Sequence, residues 1–172
     1  TYQVAEDGSW TPSDLSAPAA KKQYFRTEPV TAAKAPTYTS GELYVDSKLT
    51  LKGTWTFGGW KRSDTNDPKD TVAAGDEFNM PGNDLTLTGQ WSFTPDTYTV
   101  SYDIGNGTGT PPESHDSYDY SALPDKAGCV EASGIPFGAS IKLRDFNGTA
   151  PDGTYFAGWS LFDPTNADLG TI

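Results

Sequence analysis

The sequence predicts a mainly β protein built as two small β-rich modules in tandem, and three observations carry that prediction. Thr, Gly, Pro, Ser and Tyr are abundant while Leu, Ile and Met are scarce, a mixture that favours short strands joined by turns over helices. The segment LTLKGTWTF at 49–57 returns as LTLTGQWSF at 85–93, and both copies alternate apolar with polar residues at the period of a strand with one buried face. A longer self-similarity sets TYQV at 1–4 beside TYTV at 97–100, and FGGW at 57–60 beside FAGW at 156–159, offsets of 96 and 99 residues. The modules are accordingly residues 1–95 and 96–172, and the second has no counterpart of the closing segment DEFNMPGNDLTLTGQWSF. A module without its last strand exposes an apolar face and a strand edge, so the native protein is expected to continue past Ile172.

Taken in order, SAPAAKKQYF at 16–25 is the one modest helix candidate, and its counterpart YSALPDKAGCVEA at 120–132 is interrupted by Pro124 and Gly128. The first repeated strand should turn Leu49, Leu51, Trp55 and Phe57 inward, and the second Leu85, Leu87, Trp91 and Phe93. The matched F-x-G-W motifs should place Trp60 and Trp159 inward as well, each ahead of a polar acidic loop. Thr94-Pro95-Asp96 breaks the alternation and is read as the joint between modules. A strand from Tyr98 to Ile104 then meets Asn106-Gly107, a strong hairpin signal. Asp7-Gly8, Gly58-Gly59, Pro81-Gly82, Asn147-Gly148 and Asp152-Gly153 mark further turns.

A formal net charge of -11 with no Lys/Arg cluster argues against nucleic acid as a partner. It suits a soluble protein outside the cell. No apolar run approaches the ~20 residues that span a bilayer, and TYQVAEDGSW lacks the parts of a signal peptide. Any export signal or wall anchor is therefore expected outside this stretch. Cys129 is the single cysteine, which excludes an intrachain disulfide and a cysteine-based metal site. Five Trp, nine Tyr and eight Phe must then supply the core.

Candidate chemistry is sparse, and each candidate has a plainer structural reading. GNGTG at 105–109 lacks the GK[ST] ending of a phosphate loop and runs into Pro111 and Pro112, so it reads as a turn. His115 and Cys129 are the one pair that could suggest a base and a thiol nucleophile, but no local signature accompanies them. Asp64, Asn66, Asp67 and Asp70 crowd one loop, and Asp163, Asn166 and Asp168 its counterpart. Oxygen ligands for calcium are thus offered twice, without EF-hand spacing, and solvated turns explain them equally well. Asn106-Gly107-Thr108 and Asn147-Gly148-Thr149 are glycosylation sequons in form. Trp10, Tyr118 and Tyr120 fall outside the alternating strands and could stack on sugars or simply cover the core. No catalytic residue, metal ligand or cofactor is assigned.

The pairing of GTWTFGGW with a later MPGNDLTLTGQWSF resembles the SHIRT repeats of Gram-positive surface proteins, and YTVSYDIGNGTGTPP with FAGW is similar to the related Listeria-Bacteroides repeats. The resemblance implies a β-grasp-like form, hence α+β as an alternative to all-β. It also implies a cell-wall-attached extracellular protein whose repeats hold an adhesive tip away from the cell, with no catalytic residues to carry over. LPDKAG at 123–128 lacks the Thr-Gly of a sortase signal, and no Lys/Asn/acid set for an isopeptide bond is evident. The expected function is a non-catalytic stalk, monomeric, whose partners are neighbouring repeats of the same chain. The alternative is an adhesive module that binds host glycan or protein through its loop aromatics.

Overall fold

In the computed structural model the described residues are 1–5, 11–20, 23–38, 40–65, 67, 70–120 and 133–161. The two repeated segments become its two long strands, β4 (Thr50–Arg62) and β7 (Leu87–Pro95). They pair antiparallel with Trp55 opposite Phe93, Phe57 opposite Trp91 and Trp60 opposite Gly89. β1 (Tyr2–Gln3) lies parallel on the free side of β7, and β3 (Glu42–Tyr44) antiparallel on β4, giving the order β1-β7-β4-β3. β5 (Thr71–Val72) also pairs with β4. Among the described residues there are also two ribbons: β2 (Pro29–Thr31) with β6 (Glu77–Asn79), and β8 (Thr97–Tyr98) with β9 (Ile135–Pro136).

The protein is mainly β, and no α-helix occurs among the described residues. The helix expected at 16–25 is absent from the described part of that span. Its ten residues include Pro18, and a segment that short cannot repay the cost of helix nucleation without a packed apolar face.

Two apolar clusters form the core. Leu43, Val45, Leu51, Trp55 and Phe93 make one; Ala32, Trp60, Leu85 and Leu87 make the other. Burying a side chain of this size contributes about 1.5–3 kcal/mol. The inward reading therefore holds for Leu51, Trp55, Trp60, Leu85, Leu87 and Phe93. Leu49, Phe57, Trp91 and Trp159 are only half-buried. For Phe57 and Trp91 the reason is position: Phe57 packs against one cluster and Trp91 against the other, and their rings meet 5.0 Å apart.

A β-bulge between Phe57 and Gly59 interrupts the alternation of β4. The extra residue changes which parity faces the core, so Phe57 and Trp60 meet edge to face at 5.0 Å. Gly59, at φ 114, takes a backbone conformation that side-chain-bearing residues rarely adopt.

At Thr94-Pro95-Asp96, where the sequence places the joint between modules, the backbone pairing is continuous. β7 runs through Thr94 and Pro95, opposite Thr54 and Gly53. Beyond it the Asp96 N–H donates to the Lys52 carbonyl, and the Phe137 N–H donates to that of Asp96. Pro95 is accommodated at the strand's last position, with Gly53 opposite it and the Asp96 N–H taking up the pairing to Lys52.

The chain gathers into two compact units, Thr1–Tyr98 with Asp116–Ser140, and Thr99–His115 with Ile141–Ile172. In the second, bridges join Val100 to His115 and Thr108 to Thr149. The latter ties the two Asn-Gly-Thr turns together by reciprocal backbone hydrogen bonds of 2.9 and 2.8 Å.

Candidate functional site

Each unit contains one aromatic clamp made from the same atoms. In the first, the Ala33 N–H donates to the Tyr2 hydroxyl at 2.8 Å while Trp60 Nε1 donates to the Ala33 carbonyl at 2.8 Å. In the second, the Arg144 N–H donates to the Tyr102 hydroxyl at 2.9 Å and Trp159 Nε1 donates to the Arg144 carbonyl at 2.8 Å. The Tyr and Trp rings lie 4.9 and 4.7 Å apart respectively. The F-x-G-W turn behind each clamp is the same too. Phe57 and Trp60, and Phe156 and Trp159, both meet at 5.0 Å and 68°, with Gly59 and Gly158 both at positive φ. An indole that buries its ring while donating its N–H to a backbone carbonyl anchors a segment lacking ladder bonds of its own.

The clamp corrects one correspondence read from the sequence. Tyr2 matches Tyr98 by the local string, but its structural counterpart is Tyr102. The spacing carried the signal: Tyr2 to Trp60 is 58 residues and Tyr102 to Trp159 is 57.

The two clamps differ in what covers them. Trp60 is 0% exposed in its cluster with Ala32, Leu85 and Leu87, whereas Trp159 is half-buried, Phe156 is 42% exposed and Tyr155 83%. Beside them opens a groove of about 960 Å³ lined by Tyr102, Phe146, Tyr155, Phe156 and Trp159, among others. His115 belongs to this cluster, its Nε2 2.9 Å from the Tyr102 hydroxyl. With that hydroxyl accepting from Arg144, its one proton is free to meet the imidazole. His115 thus helps to hold Tyr102. Cys129 lies outside the described residues, as do Trp10, Asn66, Asp163, Asn166 and Asp168.

The other candidates resolve into structure. Gly105-Asn106 forms a turn, with the Gly105 N–H donating to Asp103 Oδ1 at 2.8 Å. Tyr118 and Tyr120 are a half-buried edge-to-face pair 5.2 Å apart. In the acidic loop both carboxylate oxygens of Asp64 accept from Arg62, at 2.9 and 2.7 Å, and Thr65 Oγ1 donates to Asp70 at 2.6 Å. The Arg62 hydrogen bond holds the Asp64 carboxyl below its ordinary range, and that same bond to Asp64 raises Arg62. Among the described residues no three His, Cys, Asp or Glu side chains converge as a metal site. Nor is any helix there long and apolar enough to cross a membrane.

Residues 18–94 match the family model of the SHIRT domain, the family that the repeated segments resemble. The match runs from ahead of β2 to within one residue of the end of β7 and takes in both copies of the repeated strand. Over that stretch the chain is similar to the SHIRT domain, a repeat-domain family. Comparison with curated proteins and with solved structures returned no match for the chain.

Proposed function

We propose that this chain is a non-catalytic stalk region of a bacterial cell-surface protein, in which tandem modules dividing near residue 96 project a binding tip from a Gram-positive cell wall. The observation that supports it is the recurrence of the Tyr–Trp clamp and F-x-G-W turn in both units, atom for atom. Duplicated anchoring of irregular backbone serves a module whose task is to persist outside the cell without disulfides. On this reading the protein is extracellular, held to the wall through other parts of its polypeptide, monomeric, and in contact mainly with its neighbouring repeats.

A second reading has its own observation. Tyr155 and Phe156 present aromatic surface beside an open groove, and such surfaces stack on sugar rings or seed protein contacts. An adhesive module for host glycan or matrix protein would use them. A glycan array and a host-matrix binding screen on the 172-residue chain separate the two. The stalk reading expects no reproducible binding. Micromolar binding that disappears in Tyr155→Ser would replace it with the adhesin.

A further inference from the structure

We infer that the corner of the first unit formed by Thr50, Lys52, Asp96 and β8 is a docking surface for a turn of the following repeat, and that it admits that turn only with glycine at the third position. The partner is a neighbouring module of the same chain, recognised through an Ile-Pro-Phe-Gly segment. The inference rests on the tandem-module reading above and adds the interface to it.

Both copies carry the same turn. Counted back from the backbone carbonyl that each clamp tryptophan holds, Thr27 stands six residues before Ala33 and Gly138 six before Arg144. The Glu28 N–H donates to the Phe25 carbonyl and the Ala139 N–H to the Pro136 carbonyl, each at 3.1 Å. The third residue of each turn has a left-handed backbone, Thr27 at φ 63 and Gly138 at φ 94. What differs is the seat. Residues 133–140 belong by sequence to the second module and by contact to the first unit. There Pro136 and Ile135 pair with Thr97 and Tyr98, the Phe137 N–H donates to the Asp96 carbonyl at 2.9 Å, and Lys52 Nζ stands 4.6 Å over the Phe137 ring. Ile135 and Pro136 are buried in this seat, whereas Phe25 of the other turn is 84% exposed. A Cβ at position 138 would collide with the Thr50 carbonyl oxygen. That oxygen belongs to a backbone fixed in the β3–β4 ladder, where Thr50 pairs with Tyr44, so it cannot swing aside as a side chain can. The corner therefore accepts glycine and rejects a side chain such as that of Thr27. Of the two equivalent turns only the second copy's fits, and that selects which segment docks.

The test compares the isotopically labelled 172-residue chain with its Gly138→Asn variant by hydrogen exchange and NMR. Asn adopts a left-handed backbone more readily than other residues with a side chain, so it keeps the turn and adds the colliding Cβ. The expected result is a loss of Phe137 amide protection of about tenfold or more. The Lys52 side-chain resonances should leave the shielding of the Phe137 ring, while the amides of Trp55 and Phe93 stay protected. A peptide of residues 133–140 at millimolar concentration should then restore the Lys52 shifts saturably, since it supplies in trans what the chain's own connection supplies as effective concentration. The Gly138→Asn form of that peptide and a peptide of residues 22–29 should bind weaker by about tenfold or more. Four outcomes overturn the proposal. Undiminished Phe137 protection in Gly138→Asn would make the glycine a matter of backbone conformation alone. Loss of Trp55 and Phe93 protection along with Phe137 would make the turn part of the first unit's core. No restoration by the parent peptide, or equal binding of the 22–29 peptide, would remove the selective site. The tandem-module reading fails on a different readout, the loss of Thr108 and Thr149 protection together with that of Phe93 in Trp60→Ala.

Discussion

At the scale of single residues, the tryptophans do more than fill space. Trp55, Trp60, Trp91 and Trp159 each donate the indole N–H to a backbone carbonyl, of Glu42, Ala33, Val4 and Arg144 respectively. Removing Trp60 therefore loses a fully buried ring and leaves the Ala33 carbonyl without its indole donor. Trp60→Ala should cost about 3–5 kcal/mol, and Trp60→Phe, which keeps most of the ring, about 1–3 kcal/mol. Trp91→Ala should cost less than Trp60→Ala, because Trp91 is half-buried. Urea denaturation of the three variants checks the ranking, and a Trp91→Ala more damaging than Trp60→Ala would refute it. Asp64 sets a smaller effect with a defined sign. Its folded-state carboxyl is held below the ordinary value by Arg62, so its contribution is present above the unfolded carboxylate range near ~4 and is lost as pH falls through the folded value. Asp64→Asn should then cost about 0.2–1 kcal/mol at pH 7, and the gap to the parent should close as the pH falls below the ordinary carboxylate range. A gap that widens on acidification would contradict the assignment. Because Asp64 is engaged by Arg62 and Asp70 by Thr65, millimolar calcium or chelator should move the melting temperature by no more than about a degree. A rise of several degrees would reinstate the calcium reading of this loop.

At the scale of elements, the glycine repeated within the long strands has a packing cause that its place in the alternation only hinted at. A Cβ on Gly53 would collide with the Thr94 carbonyl oxygen and lie 2.8 Å from both Phe93 Cζ and Pro95 Cα. Ala favours a strand over Gly by intrinsic preference, yet Gly53→Ala should destabilise by about 1–3 kcal/mol through overpacking. Gly75→Ala, where nothing stands within 4 Å and φ is 87, should cost only the backbone strain, about 1 kcal/mol. Thermal melts of the pair discriminate, and a neutral Gly53→Ala would mean that β4 and β7 do not approach as closely as described. Strand position was legible because period-2 alternation depends on local sequence alone: Leu51, Trp55, Leu87 and Phe93 could be placed inward from it. The bulge at Gly58 was not legible, since Gly-Gly reads as a turn and only the partner strand reveals an extra residue inside a ladder. The continuation of β7 through Pro95 was hidden for a similar reason. Proline is a breaker by local rule, and its tolerance here comes from Gly53 opposite and Lys52 beyond, contacts more than forty residues away in sequence. The clamp was half-legible. F-x-G-W announced Trp60 and Trp159, but Ala33 and Arg144 offer only backbone, which no side-chain pattern records.

At the scale of the whole molecule, sequence order and spatial grouping differ in one respect with a measurable consequence. Residues 133–138 lie far beyond β7 in the chain, yet β9 pairs with β8, the Phe137 N–H reaches the Asp96 carbonyl, and Lys52 Nζ sits 4.6 Å over the Phe137 ring. A Cβ on Gly138 would collide with the Thr50 carbonyl oxygen, so that segment passes against β4 itself. These residues should gain and lose order with the first unit. Thr108 and Thr149, paired with each other in the second unit, should not, because neighbouring modules of a repeat protein unfold as separable units. Native-state hydrogen exchange on Trp60→Ala tests this directly. The amides of Trp55, Phe93 and Phe137 should lose protection together, while those of Thr108 and Thr149 keep theirs. If Phe137 stays protected while Phe93 does not, residues 133–138 are held by something other than β4 and β8. If Thr108 and Thr149 fail together with Phe93, the chain has one cooperative core, and a stalk of independent modules is the wrong description of it.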